Sequence, residues 1–575
     1  MIKRYVLTIV VALMTGVVLQ AAPAKPIPVV HTQSDGSTVT LVMRGGEFNH
    51  TMMTMDGLTV DRAENGDFCY SVNGALSDVR AHDKGNRTIE ETAFVMAYRD
   101  QMHLNAGARH MPRREEGSTT PQVLTTGSPR IPIILADYSD VHFVDANPVA
   151  TFEDQFNQME YSCLHYFQSQ SRGKFSPQFD ILGPVQLPQN RAFYGGNKRV
   201  NGNEVDTQLG TMIYDACMLI ADDVDFSNYD NDGDGYVDVV VVLYAGVGEA
   251  QAYYTVPESV WPCQWDMTES YDWGCSVSGP FVLNGVTIDK YAVFNELEGS
   301  NNAGTRIDGV GTFCHEFSHC LGLPDFYPTN GYNYYGMGLW DIMDNGCYLN
   351  NGYCPAGYTS YERHFMGWMG LVEAQENNHY NLFPLNGNAG NAMKVTNDAN
   401  PDEYYLLEYR VKSGWDEYLP AEGIMVLHVD YDKNAWDNNT PNNVGNHQRM
   451  TIIPADNYLT NYTNDKDLWP QGGLDSLTNN STPAAAVYTG GYMNKPITAM
   501  TVDNEAKKAG FWFMKSNVYQ PADVNDDGEV NIADVNMVIS AILSDKGNDK
   551  CDVNGDGEIN IADVNAVIRV IMQPH

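Results

Sequence analysis

The sequence has few basic residues and, after its start, lacks long apolar runs. It contains 34 Lys+Arg against 73 Asp+Glu among 575 residues, and its formal net charge is −39. This balance argues against a nucleic-acid-binding protein, because contacts with phosphate need a basic surface. No segment after residue 24 approaches the run of about 18 apolar residues that a membrane-spanning helix needs. The sequence therefore predicts no membrane span in the mature chain.

The N-terminus has the pattern of a secretory signal peptide. Lys3 and Arg4 precede an apolar run over residues 5–19, which ends in the small residues of segment 20–24. A basic start, a short apolar stretch and a small-residue exit are typical of export signals. A membrane anchor is the alternative, and the shortness of the run disfavours it. We expect a signal peptide over 1–24 and a secreted, extracellular or cell-surface protein. Ten cysteines fit an oxidising compartment, although buried free thiols are an equally simple interpretation.

The first part of the mature chain is rich in β-type runs. Residues 38–42 are one such run, the dipeptide Asn73-Gly74 marks a turn, and residues 90–102 predict a helix. Between 105 and 130 the composition changes to Gly, Pro, Ser, Thr and charge, which is typical of an exposed linker. Region 25–120 is therefore either a propeptide with a cleavable linker or a small permanent β-domain.

Three further regions follow along the chain. Strands and helices mix over 121–370, beginning with an apolar strand at 131–135. Strand-like runs at 404–409 and 424–429, separated by turns rich in Asn, Gly and Pro, predict a β-sandwich over 371–518. Region 519–575 contains an internal repeat and forms the last module. The expected fold is thus a multidomain α+β protein, and 43% apolar and 11% aromatic residues are ample for its cores.

The strongest chemical signal is His315-Glu316-Phe317-Ser318-His319. On a helix, side chains four residues apart lie on one face, so both imidazoles can ligate one Zn²⁺. Glu316 follows the first ligand directly and can take a proton from a water that the metal activates. We expect one catalytic zinc and interpret Glu316 as the general base.

A catalytic zinc needs a third protein ligand. Gly322 allows a sharp exit from the helix and Pro324 prevents its continuation, so the chain can return and offer Asp325. No Glu occurs between Glu316 and Glu362, which disfavours a ligand of the thermolysin type. Glu362 and His364 remain alternative ligands.

A methionine, Met343, follows the proposed ligands in segment 338–344. In metzincin-type zinc peptidases a turn with such a methionine lies beneath the metal, and an ordinary core methionine is the alternative. Segments 311–325 and 340–343 resemble the M6 family of secreted bacterial metallopeptidases, the immune inhibitor A type. The resemblance extends to 229–238, 405–410 and 423–430, and thus covers about 125–515.

The M6 resemblance implies a zinc endopeptidase made with a propeptide, in which a metzincin-like catalytic domain with a mixed sheet and an active-site helix precedes a β-domain. It carries the zinc ligands over to His315 and His319, and to Asp325 in place of the third His of the usual metzincin pattern. We expect protein or peptide substrates. A second donor to the oxyanion is also expected, from a tyrosine among Tyr332, Tyr334 and Tyr335.

A calcium loop is predicted over 230–238. Its oxygen ligands alternate along the chain, as Ca²⁺ requires, and Gly235 provides the sharp turn. The predicted ligands are Asp230, Asp232, Asp234 and Asp238, with a backbone carbonyl from Tyr236. Residues 222–238 hold seven Asp and no basic residue, so the acidity of the chain is partly a calcium signature.

The C-terminal repeat predicts two more calcium loops, which makes about three Ca²⁺ ions in total. In each loop the oxygen-bearing side chains recur at the same positions, and an apolar helix pattern follows. The residues are Asp523, Asn525, Asp527, Glu529, Asn531 and Asp534 in the first loop, and Asp552, Asn554, Asp556, Glu558, Asn560 and Asp563 in the second. Such pairs resemble a type I dockerin, which implies a cohesin-type scaffold or a cell-surface partner. A calcium-folded cap that binds nothing is the alternative.

Two function classes follow. The first is a secreted zinc endopeptidase, and the intact His315, Glu316 and His319 favour it. The second is a catalytically inactive surface-assembly protein that is attached through its dockerin-like module. Cys69, in the region 25–120, is a further candidate for blocking the zinc, although a lone cysteine more often packs or pairs.

Overall fold

The computed structural model describes residues 20–47, 49–102, 123–200, 203–252, 255–299, 306–330, 335–459, 465–515, 522–525, 530–544 and 549–572. The chain divides into two compact units. The larger includes the residues up to Ala374 together with Tyr380–Phe511, and the smaller combines Gln375–His379 with Trp512–His575. It is a mixed multidomain protein with both sheets and helices.

The strands are β1 (Gln20–Ala21), β2 (Val29–Thr32), β3 (Thr38–Gly46), β4 (Asn49–Thr54), β5 (Thr59–Arg62), β6 (Phe68–Val72), β7 (Ala75–Arg80), β8 (Arg130–Asp137), β9 (Gln178–Gln186), β10 (Asn197–Val200), β11 (Asn203–Asp206), β12 (Val240–Val247), β13 (Cys263–Asp266), β14 (Phe281–Leu283), β15 (Val286–Ile288), β16 (Lys290–Leu297), β17 (Val372–Glu373), β18 (Asn378–Leu382), β19 (Ala392–Asn397), β20 (Asn400–Arg410), β21 (Gly423–Asp430), β22 (Met450–Ile452), β23 (Ala486–Val487), β24 (Gly491–Tyr492), β25 (Ile497–Asp503) and β26 (Lys508–Phe513).

The helices are α1 (Ile89–Tyr98), α2 (Pro148–Glu153), α3 (Cys163–Ser171), α4 (Arg191–Gly195), α5 (Leu209–Ile220), α6 (Glu249–Ala252), α7 (Met267–Asp272), α8 (Val310–Cys320), α9 (Ser360–Phe365), α10 (Lys433–Asp437), α11 (Ile532–Ser544) and α12 (Ile561–Ile571). No helix in the described part of the chain is long and apolar enough to cross a bilayer.

The N-terminal region forms an antiparallel sheet in which β2 to β7 follow one another in chain order. Asn73 and Gly74 both have positive φ and connect β6 to β7, as a two-residue hairpin turn requires. Helix α1 begins at a capping box between Thr88 and Glu91. It ends at Tyr98, earlier than the sequence predicts, because the chain tightens there into a 3-10 turn. Most of the predicted linker, residues 103–122, lies outside the described residues.

The central sheet has the order β1-β13-β16-β12-β8-β9. Strands β8, β9, β12 and β16 run parallel, whereas β13 is antiparallel to β16 and β1 is antiparallel to β13. Every residue of β12 is buried, as its continuous apolar sequence predicts for an inner parallel strand. The mixed sheet thus ends at an edge formed by β13, and the N-terminal β1 covers this edge.

A second sheet, β17-β19-β20-β21-β22, shares one hydrophobic core with the central helices. Leu406 of β20 and Leu427 of β21 belong to the same cluster as Phe317 of α8. Buried charges connect the second sheet to α9. Arg410 of β20 donates to Asp416 at 2.6 and 2.9 Å and to Glu408 at 3.1 Å. The other oxygen of Glu408 accepts from the backbone N–H of Ser360, at the start of α9.

Replacing Arg410 by Met is expected to lower the free energy of unfolding by about 3–5 kcal/mol, since two buried carboxylates lose their cation. Lys433→Met is the control, because Lys433 forms an exposed pair with Asp437 and its loss should cost less than about 1 kcal/mol. Urea unfolding followed by tryptophan fluorescence measures both values. Equal effects of the two substitutions would show that the buried pair does not hold the second sheet in place.

No disulfide joins any of the ten cysteines, which all lie in the described residues and are all buried. Cys263 and Cys275, like Cys347 and Cys354, are close enough in sequence to be bridged by a short loop, but all four are buried thiols. Cys69 lies within β6, opposite Asp61 of β5.

Candidate metal centre and calcium loops

Helix α8 carries the proposed zinc ligands and is buried along its whole length. Its Phe313 and Phe317 pack in a cluster of aromatic rings that includes Phe156 and Phe179. Gly311 lies so close to the carbonyl of Cys347 that a Cβ would approach the oxygen to 1.9 Å. The helix is therefore held on several sides, and His315 and His319 point to the remaining side.

The chain leaves α8 as the sequence predicts. Gly322 has φ of +105°, a conformation in which only glycine is free of strain, and the backbone then returns toward the helix. This return brings Asp325 Oδ1 to 3.1 Å from His315 Nε2 and 3.2 Å from His319 Nε2. The two Nε2 atoms are themselves 3.1 Å apart. His315, His319 and Asp325 therefore converge on one point and are fully or almost fully buried.

The other nitrogen of each imidazole is hydrogen-bonded to the backbone. His315 Nδ1 lies 2.7 Å from the carbonyl of Ile342, and His319 Nδ1 lies 2.8 Å from the carbonyl of Leu323. Because a carbonyl only accepts, each Nδ1 carries the hydrogen and each Nε2 presents a lone pair. Asp325 Oδ1 has no hydrogen-bond partner among the described residues, although it is buried. This donor set fits a divalent cation.

Asn439 orients Asp325 and was not identified from the sequence. Its side-chain oxygen accepts from the backbone N–H of Asp325 at 2.6 Å, and its Nδ2 donates to Asp325 Oδ2 at 2.6 Å. These two hydrogen bonds hold the Asp325 carboxylate so that its Oδ1 faces the two histidines. Such support from a neighbouring residue is typical of metal ligands. Asn439 follows α10, 114 residues after Asp325, and no local pattern marks it.

Glu316 is fully buried, and neither of its carboxylate oxygens has a hydrogen-bond partner in the described part of the chain. Burial, and after it the negative charge of Asp325, raises the pKa of Glu316 well above its ordinary value. The amides of Ala22 and Gln264 approach the carboxylate without good hydrogen-bond geometry and offset this only in part. A cation held by the neighbouring ligands would favour the charged form.

Met343 lies directly beside the ligand-bearing segments. Its carbonyl accepts from the N–H of Phe326, and its own N–H donates to Asp341. The neighbouring Ile342 provides the carbonyl that orients His315. The segment thus contacts both the helix that carries His315 and the segment that follows Asp325.

The alternative ligands lie elsewhere. Glu362 caps α9 and accepts from the backbone N–H and hydroxyl of Thr359. His364 Nδ1 is 3.1 Å from the carbonyl of Met369. Among the described residues, the structure brings Asp325 to the histidine pair rather than either of these. Tyr332 and Tyr334 lie outside the described residues, and Tyr335 is part of the hydrophobic core.

The loop 230–238 brings three carboxylates together. Ligand oxygens of Asp230, Asp232 and Asp238 lie within 4.8 Å of one another. Backbone N–H groups of Gly233, Asp234 and Gly235 donate to Asp230, whereas Asp234 accepts from the N–H of Tyr236. Asn231, which the sequence did not single out, donates to Asp238 and ties the loop to Arg130 at the start of β8.

The smaller unit contains the repeated loops. Asp534 and Asp563 occupy the last proposed ligand position of the first and second loop. Both side chains are fully buried, and they make equivalent hydrogen bonds. Asp534 accepts from the N–H groups of Val524, Asn525 and Asn531, and Asp563 accepts from those of Asn554 and Asn560. In the second loop, Asp552, Asn554 and Asp556 accept from successive backbone N–H groups, and the N–H of Glu558 donates to Asp556. Asp527 and Glu529 lie outside the described residues.

Two family models match parts of the chain. Residues 128–369 match the family model of the immune inhibitor A peptidase M6 catalytic domain, and residues 521–572 match that of the dockerin type I domain. The chain is 25% identical over 251 residues to the Pre-pro-metalloprotease PrtV of Vibrio cholerae serotype O1, covering 40% of this chain and 26% of that protein. It is 22% identical over 300 residues to Immune inhibitor A of Bacillus thuringiensis subsp. alesti, covering 42% and 41%. The chain thus spans less than half the length of these relatives, and its resemblance to M6 metallopeptidases and type I dockerins is confirmed.

Proposed function

We propose that this chain, whose residues 128–369 form an M6-type metallopeptidase domain, is a secreted zinc-dependent endopeptidase. Its metzincin-like catalytic domain spans 121–370. A signal peptide over 1–24 and a propeptide-like region with its linker over 25–120 precede it, and a β-sandwich-like domain over 371–518 and a dockerin-like module over 519–575 follow. Protein or peptide substrates are cleaved at the centre formed by α8 and Asp325.

The convergence of His315, His319 and Asp325 carries this proposal. In a tetrahedral zinc site with nitrogen and oxygen ligands at 2.0–2.2 Å, the ligand atoms lie about 3.3–3.6 Å apart. The separations of 3.1 to 3.2 Å in this structure are slightly shorter than this range. Three protein ligands leave one position open, which distinguishes a catalytic from a structural zinc site.

Zinc, when bound, supplies Lewis-acid charge that activates water and polarises a peptide carbonyl. Glu316 does the proton transfer. Its carboxylate accepts a proton from the attacking water and returns that proton to the departing nitrogen. Burial without hydrogen bonds suits this role, because a carboxylate with no fixed partner is basic and free to transfer a proton.

Casein hydrolysis tests the proposal. A chelator is expected to abolish cleavage, and stoichiometric zinc in the presence of calcium is expected to restore it. The alternative, a catalytically inactive surface-assembly protein, would bind zinc without cleaving casein or any peptide mixture. Identification of fragments by mass spectrometry separates endopeptidase from exopeptidase cleavage.

The loop 230–238 and the two loops of the smaller unit are proposed to hold about three structural Ca²⁺ ions. Burial, followed by the charges of Asp232 and Asp230, raises the pKa of Asp238 to about 6. A carboxyl group whose folded pKa is raised stabilises the fold less as the pH rises from about 4 to 6. Calcium binds the charged form of Asp238 and offsets the loss of stability that its ionisation would cause.

We therefore expect calcium to stabilise the larger unit more at pH 7 than at pH 5, by on the order of 1–3 kcal/mol. Thermal unfolding at both pH values, with calcium and with chelator, measures the difference. Asp238→Asn is the matched control, since it removes the titrating group and leaves the loops of the smaller unit intact. A stabilisation that is the same at both pH values in the parent protein would contradict a calcium site at Asp238.

The dockerin-like module favours attachment to a cohesin-type scaffold or a cell-surface partner. Its two helices begin with equivalent exposed residues, Ile532 and Ile561, which are 67% and 66% exposed. Eleven residues later, Leu543 and Met572 are 82% and 77% exposed. An isolated cohesin domain, with calcium present, is the probe. Binding that is lost on replacing both isoleucines by Asp would support attachment, and a module that folds with calcium but binds no cohesin would be the terminal cap.

A further inference from the structure

Tyr327 lies two residues after Asp325 and is 5% exposed. Its hydroxyl donates to the backbone carbonyl of Ala21. Gly46, at the end of β3, also lies close to this hydroxyl, since a Cβ there would approach it to 2.7 Å. The hydroxyl is thus fixed in direction, and the one described group that accepts its hydrogen is a peptide carbonyl.

The peptide that provides this carbonyl lies in an extended conformation along the edge strand β13. Gln20 pairs with Gln264 and Ala21 pairs with Cys263, in the antiparallel direction. The pairing continues from the N–H of Ala22 to the carbonyl of Pro262 at 3.2 Å. Main-chain pairing of this kind accepts any sequence, so the same edge can receive another extended peptide.

The same peptide lies close to the proposed reacting groups. Tyr327 lies two residues after Asp325 on the segment that returns to α8, and both side chains are buried. The amide of Ala22 approaches the Glu316 carboxylate. The Ala21–Ala22 peptide bond therefore has the Tyr327 hydroxyl at its oxygen and Glu316 near its nitrogen.

We propose that Tyr327 is a catalytic residue of the peptidase, whose hydroxyl donates a hydrogen bond to the oxygen of the substrate carbonyl as that oxygen gains negative charge. The inference rests on the proposed function. Tyr327 is added to the candidates Tyr332, Tyr334 and Tyr335, because its hydroxyl contacts the carbonyl of a peptide that is paired with the edge strand.

The reaction that this donor assists is ordinary amide hydrolysis. Water adds to the carbonyl carbon and gives one proton to Glu316, while the C=O electron pair moves onto the oxygen that Tyr327 contacts. When that pair returns, the C–N bond breaks and Glu316 passes its proton to the departing nitrogen. The products are a carboxylic acid and an amine. Tyr327 keeps its proton throughout and acts only through its hydrogen bond.

Tyr327→Phe is expected to lower kcat by about 10²–10³-fold and to change KM by less than about threefold, because the lost hydrogen bond matters most in the transition state. The affinity for a phosphinic peptide, measured by calorimetry, should fall by the same factor as kcat/KM. Zinc content and the melting temperature should remain near the parent values. Parent and variants are produced as the full chain, processed in the same way and checked by N-terminal sequencing.

Tyr166→Phe is the matched control. Tyr166 is also buried and also donates to a backbone carbonyl, that of Ala356 at 2.8 Å, but it lies in the hydrophobic core. Its kcat should stay within about twofold of the parent. If Tyr327 only anchored the segment from β1, Tyr327→Phe would leave kcat unchanged or raise it, and phosphinic peptide affinity would not fall.

Failure of this inference can be told from failure of the proposed function. Cleavage retained by Glu316→Gln would refute the peptidase mechanism as a whole. Loss of cleavage in Glu316→Gln, combined with full kcat in Tyr327→Phe, would overturn only the role of Tyr327.

Discussion

Replacing Glu316 by Gln is expected to lower kcat for protein substrates by about 10³–10⁴-fold while zinc stays bound. Gln keeps the shape of the side chain but cannot take a proton from water. The zinc ligands are untouched, because His315 and His319 are oriented by the carbonyls of Ile342 and Leu323 rather than by Glu316. Zinc content by atomic emission and cleavage of a quenched fluorescent peptide measure both quantities.

Glu296→Gln is a suitable control for this experiment. Burial raises the pKa of Glu296 to about 7, but its carboxylate oxygens accept from the N–H groups of Val144 and Gly246 and not from the segments that carry the proposed zinc ligands. Its loss should affect stability and leave the activity per folded molecule within a few-fold. If Glu316→Gln cleaved at the parent rate, another group would be the base.

Replacing Asp325 by Ala is expected to lower zinc affinity by at least about 10³-fold, and activity at submicromolar zinc should be lost with it. One of three protein ligands disappears, and the two imidazoles alone bind a divalent ion weakly. Asn439→Ala should have a smaller effect of about 10–100-fold, because it releases the ligand without removing it. Competition with a chromogenic chelator gives all three affinities.

Glu362→Gln is the control that distinguishes the alternative ligand. Glu362 caps α9 through Thr359, so the substitution should leave zinc affinity unchanged and cost some stability. Loss of zinc from Glu362→Gln, with zinc retained by Asp325→Ala, would assign the third ligand to Glu362.

The parts of this site that the sequence predicts are those in which the relevant residues are neighbours along the chain. The positions of His315, Glu316 and His319 follow from helical spacing alone. Gly322 and Pro324 predict the chain reversal that brings Asp325 back to the helix. The proposed calcium loops are similar, because their proposed ligands alternate within a dozen residues and donors such as the N–H of Gly235 come from the same loop.

The parts that local patterns do not predict depend on long-range packing. Asn439 reaches Asp325 because the second sheet shares its core with α8, and no spacing rule connects residues 114 positions apart. The contact between Tyr327 and Ala21 spans 306 positions and requires the N-terminal strand to pair with β13. Tyrosines next to a metal ligand also occur in ordinary cores, so only the partner of its hydroxyl distinguishes Tyr327.

The most direct test of the account is anomalous X-ray diffraction at the zinc absorption edge from crystals of the full chain. A zinc peak is predicted at a single position, about 2.0–2.2 Å from His315 Nε2, His319 Nε2 and Asp325 Oδ1, with Glu316 beside the open coordination site. A peak ligated by Glu362 or His364, or a zinc ion that lies away from α8, would contradict it.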